Sequence, residues 1–62
     1  MDIQEKAALY DDLVRKGQDL HRQVYNIKMK LKNTKEDTAK LKTLGHQISN
    51  IEAQMYQLMN NA

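Results

Sequence analysis

The chain has no cysteine, proline, tryptophan or phenylalanine, and only two glycines among its 62 residues. Without cysteine there is no disulfide, no thiolate zinc site and no cysteine nucleophile. Without proline nothing marks a forced break in a helix. Long apolar runs are also missing, so no segment approaches a membrane span. The opening residues, MDIQEKAALYDD, are acidic and have no signal-peptide apolar region, which leads to the expectation of a soluble, cytoplasmic protein. Carboxylates are dispersed and no glycine-rich loop follows a strand, so no enzyme active site, metal centre or cofactor is expected.

What remains is one small domain over residues 1–62. A chain this short buries too little apolar surface to be robust alone. With staples excluded, association with another chain is the remaining way to gain core.

Charge is uneven along the sequence. Residues 1–12 carry four acids and one lysine, residues 13–46 carry nine Lys/Arg against three acids, and residues 47–62 carry only Glu52. Apolar residues recur three and four apart. In the first half, Ile3, Tyr10, Leu13, Leu20, Val24, Ile27 and Leu31 occupy a and d heptad positions, with Lys6 and Gly17 as the departures. Ala7 and Val14 widen this stripe at e, to the breadth of a bundle helix. In the second half Leu41, Leu44, Ile48, Ile51, Met55, Leu58 and Ala62 form an equally regular seam. The fold class is therefore all-α.

The two heptad frames do not join. From a at Leu31 to a at Leu41 is a heptad plus three, and the intervening seam positions are Thr34 and Thr38, both polar. A continuous helix would be overwound there. The same residues read well as a turn. Thr34 is an N-cap candidate with Asp37 three residues on, a variant of the capping box. Glu36 and Asp37 then lie in a first turn, and Lys28, Lys30 and Lys32 in the last turns of the preceding helix, as the helix dipoles favour. Asn33 is suited to the left-handed conformation that ends a helix. Asp2 with Glu5 gives helix 1 a similar start. These signals predict an antiparallel helical hairpin, with helix 1 from about 3 to 32, a turn at 33–34 and helix 2 from about 35 to 60.

Two long helices touch along one line, whereas each apolar stripe is wider than that line. The exposed remainder favours dimerisation into a four-helix bundle. The hairpin tip is basic and the end holding both termini is acidic, so an antiparallel homodimer is expected.

Four groups of residues are candidates for function. Lys28, Lys30, Lys32, Lys35, Lys40 and Lys42 cluster at the tip, either as a polyanion site or as a solvated, dipole-matched hairpin end. Residues facing each other across the turn have numbers summing to about 67 in a hairpin of this length. His21 and His46 meet that condition, but two imidazoles without a carboxylate or thiolate make a poor metal site, and rim histidines are the expectation. Gly17 sits at a core position inside a helix, where it admits another helix, bends helix 1 or leaves the packing unoptimised. Finally, the outer face of helix 2 is amide-rich and nearly uncharged. Tyr56, Gln57, Gln54 and Met59, with Leu9 and Tyr10 nearby, suggest a protein-docking patch at the open end.

Residues 4–9, QEKAAL, resemble the start of the Rop family of plasmid copy-number proteins. The resemblance implies an antiparallel four-helix bundle and binding to paired RNA loops. The RNA face of that family uses phenylalanine, which this chain lacks, and the basic residues here sit at the tip instead of along helix 1. The resemblance therefore bears on architecture, not on RNA. The expected role is a non-enzymatic protein-interaction module (an adaptor, an inhibitor or a small chaperone subunit) that self-associates and docks a protein through helix faces. Binding of RNA or another polyanion at the lysine tip, and a small-ligand site formed within the oligomer, are the alternatives.

Overall fold

A computed structural model describes residues 2–60; Asn61 and Ala62, the last positions of the helix-2 pattern, lie outside the described residues. Two α-helices, α1 (Ile3–Lys28) and α2 (Lys35–Asn60), pack against each other as an antiparallel hairpin. The Cα trace measures 47 × 14 × 11 Å.

Both helix starts are fixed by side chains that satisfy otherwise orphaned amides. Asp2 is extended and its Oδ1 accepts from the Glu5 N–H at 2.7 Å. At α2 the capping box closes fully. The Asp37 N–H donates to Thr34 Oγ1 at 3.1 Å, and the Thr34 N–H donates to Asp37 Oδ2 at 3.0 Å.

Helix α1 ends earlier than its periodicity predicts, at Lys28 and not near residue 32. The connection is residues 29–34, not a two-residue turn. Its first residues wind down through a Met29 N–H bond to the Tyr25 carbonyl and a Lys30 N–H bond to the Ile27 carbonyl that closes a shorter, three-residue turn. Asn33 does not supply a left-handed stop, because no described residue has a positive φ. The reason is geometric. The cap at Thr34 fixes where α2 begins, and the chain must cross the interhelical distance before reaching it. The last turn expected of α1 is spent on that crossing.

The heptad positions form the seam between the helices. Leu13, Ile27 and Leu44 are buried, Leu44 most deeply at 3% exposure. Tyr10, Val14, Leu20 and Val24 of α1 and Leu41, Ile48, Ile51, Met55 and Leu58 of α2 are half-buried around them. Two residues assigned to the oligomer core from sequence are exposed in the single hairpin. Ile3 is 86% exposed at the open end, where α2 offers too little to cover it. Leu31 is 104% exposed, because it falls beyond the end of α1 and no longer follows the helical stripe.

Candidate interaction surface

The seam divides the hairpin into two unlike sides. On the first, a shallow groove at the open end is lined by Ile3, Ala7, Tyr10, Val14, Leu58 and Met59 together with Lys6, which is half-buried, and Asp11. A second groove continues it past Val14 toward the middle of the rod. Its floor is Gly17, Ile48, Ile51 and Met55, and its rim is Gln18, His21 and Glu52. Together they make one apolar strip. On the opposite side the grooves are lined by Asp12, Lys16 and Asp19 of α1 and Gln47, Asn50 and Gln54 of α2, beside Leu9, Leu13 and Leu20. Ile51 and Leu58 reach this side too, but its lining is the more polar of the two.

This division follows from the heptad. Positions a and e of α1 (Tyr10, Gly17, Ala7, Val14) and of α2 (Ile48, Met55, Met59) flank the seam on one side, and they are mostly apolar. Positions g and c flank it on the other and are mostly polar. The contact with α2 covers d and part of a, so the widened half of each stripe stays open.

The six docking candidates do not form one patch. Tyr10 and Met59 lie on the apolar side, Leu9 and Gln54 on the polar side. Tyr56 and Gln57 line none of these grooves; both are exposed on the outer surface of α2, Tyr56 at 72%. Adjacent residues such as Leu9 and Tyr10 are separated by a helical step of about 100°, enough to put them on different sides of the seam. Toward the closed end Tyr25, Met29 and Leu31 are each exposed as well. For Leu31 the sequence gives no warning, because it fits the heptad.

All six tip lysines are exposed. Lys30 is the one that finds a carboxylate among the described residues: its Nζ lies 3.1 Å from Asp37 Oδ1. This contact and the Thr34 bonds hold the Asp37 carboxyl below its ordinary range. The Thr34 N–H is the main cause, the Lys30 hydrogen bond comes next, and partial burial opposes them. Lys30 thus serves the turn, leaving five lysines at the tip. At the other end Asp11 pairs with Arg15 and Asp12 with Lys16, both at 3.0 Å and both one helical turn apart.

His21 lies on the rim of the central groove, whereas His46 is exposed and lines none of the grooves. No cluster of three or more His, Cys, Asp or Glu suited to a metal ion occurs among the described residues. No helix of the described residues is long and apolar enough to cross a membrane.

No protein-family model, no curated protein and no solved structure matches the chain.

Proposed function

We propose that this chain is a non-enzymatic interaction module whose hairpins pair into an antiparallel four-helix bundle and whose outer helix surface docks a protein partner. One observation carries the reading: most of the apolar stripe is no more than half-buried in the hairpin. Among the described residues only Leu13, Ile27 and Leu44 are buried. The accessible surface is 5,346 Å², against about 4,100 Å² for a compact monomer of this mass. The difference exceeds the roughly 800 Å² that each partner contributes to a stable interface. A rod this thin gains core by pairing, and a paired rod offers its outer helix faces to others.

Partner docking belongs to the outer surface of α2, where Tyr56 and Gln57 stand in a nearly uncharged, amide-rich field. Exposed aromatic side chains in a charge-poor setting suit the centre of a protein interface. The test is Tyr56→Glu with Gln57→Glu. Capture of the partner is lost while helical circular dichroism and self-association remain; capture unchanged in the double variant overturns the docking part. Analytical ultracentrifugation tests the self-association part, and a folded monomer throughout the micromolar range overturns it.

One observation favours a second reading. Five exposed lysines at the tip have no carboxylate partner among the described residues, a pattern that attracts RNA or another polyanion. The two readings separate on salt, since phosphate binding weakens steeply as salt rises while helix-face docking persists.

A further inference from the structure

We infer that the second copy seats on the apolar side of the hairpin, the strip running from Tyr10 past Gly17 to Met55. Its long axis is reversed, and the two glycines mark where the helices approach most closely. The inference rests on the self-association reading above and specifies its surface, direction and contact points.

The choice of side follows from what each side would bury. Covering the polar side would desolvate Asp12, Lys16 and Asp19 together with the amides of Gln47, Asn50 and Gln54. Buried polar groups cost free energy unless every one is paired. Covering the other side buries Tyr10, Val14, Ile48, Met55 and Met59; Lys6, Asp11, Gln18, His21 and Glu52 also line it, but its lining is the more apolar of the two.

The glycines provide an independent observation. Both stand inside helices, where glycine is a poor helix former, and the hairpin itself requires neither. A Cβ on Gly17 would meet Ile51 Cγ2 at 3.7 Å, an ordinary contact, and a Cβ on Gly45 would meet nothing within 4 Å. Neither has a positive φ. Gly17 lies in the floor of the central groove. Gly45 precedes Glu52 and Met59 by one and two heptads, so it shares their stripe on the same side. Two helix-weakening residues, both on the open apolar side and both without an intramolecular purpose, fit close passage of another helix.

Direction comes from charge. The tip half, residues 17–51, carries seven Lys/Arg against three acids. The open half, residues 2–16 with 52–60, carries five acids against three Lys/Arg. A two-fold axis lying across both helices at mid-height places each tip over the partner's open end. It lays α1 on the partner's α1 and α2 on the partner's α2, all antiparallel. The alternative axis, along the rod, stacks lysine tip on lysine tip.

The absence of cysteine allows single-site labelling. A nitroxide on Lys32→Cys reads direction in the dimer. The two labels sit about 40 Å or more apart, the length of a 26-residue helix; a separation under about 20 Å overturns the arrangement. Gly45→Gln reads the surface. It improves helix propensity and meets no intramolecular atom, so circular dichroism stays helical while dimer affinity falls at least about tenfold through overpacking. Asn50→Arg on the polar side leaves the affinity unchanged. Equal affinity for Gly45→Gln and the parent, or a loss with Asn50→Arg, overturns the choice of side even if the protein is a dimer. A parent chain that sediments as a monomer overturns the self-association reading itself.

Discussion

Thr34 and Asp37 hold each other through two reciprocal hydrogen bonds, the Asp37 N–H to Thr34 Oγ1 at 3.1 Å and the Thr34 N–H to Asp37 Oδ2 at 3.0 Å. This pair decides where α2 starts, and through it where α1 must stop. Lys30, reaching back from the connection to Asp37 Oδ1, completes a clasp between the two ends of the turn.

Removing the cap hydroxyl tests that role. Thr34→Ala leaves the Asp37 amide without its acceptor and is expected to cost about 1 kcal/mol, the usual effect of losing an N-cap side chain. Urea unfolding followed at the helical band measures it. Thr34→Ser keeps the acceptor and should recover most of the loss.

The same clasp gives the fold an acid limit. Asp37 has its pKa lowered from the ordinary 3.8, chiefly by the Thr34 N–H and then by Lys30. A carboxyl held lower in the folded chain than in the unfolded chain stabilises the fold above its unfolded value, and that contribution is lost as pH falls through the folded one. Stability of the parent should therefore drop below pH 3.8 by more than that of Asp37→Asn. The variant should be the weaker of the two at neutral pH. Melting curves of both proteins between neutral and strongly acidic pH show whether the two profiles converge.

The exposed pairs on α1 should matter little. Asp11–Arg15 and Asp12–Lys16 have both partners more than half exposed, and such one-turn pairs contribute about 0.3–0.5 kcal/mol each. Asp12→Asn is expected to shift the urea midpoint only slightly, and 0.5 M salt, where exposed charges are screened over roughly 4 Å, should erase the shift.

Much of this fold is legible in the residues, and the part that is not has a physical reason. The hairpin can be read from two heptad frames that fail to join, because a strict apolar repeat leaves a helix few other faces to bury. The α2 cap can be read from Thr34 and Asp37 at the capping-box spacing. The end of α1 cannot. Met29, Lys30, Leu31 and Lys32 are all competent helix formers, and what stops them is the distance to be crossed to Thr34, a tertiary quantity. Pairing across the hairpin brings the docking candidates to the same end, but the heptad letters of Leu9 and Tyr10, g and a, place those two on opposite sides of the seam. Gly17 stands out in the sequence as a glycine at a core position, but only the space around it shows that the hairpin does not need a glycine there.

Leu31 and Leu44 offer the sharpest contrast between the heptad and the folded chain. By periodicity alone both belong to the core, and truncating either should be equally damaging. In the structure Leu44 is 3% exposed and Leu31 104%. Leu44→Ala opens a cavity in the centre of a very small core, a change that costs about 2–5 kcal/mol in buried sites. For a domain of this size that is comparable to its whole stability, so the helical signal should be largely lost at room temperature. Leu31→Ala removes a side chain already in water and should change stability by no more than about 0.5 kcal/mol. Urea titrations of the two variants at one protein concentration decide the matter. Similar losses would mean that Leu31 is packed and that α1 continues past Lys28; a large loss for Leu44 alone places the end of the helix where the turn requires it.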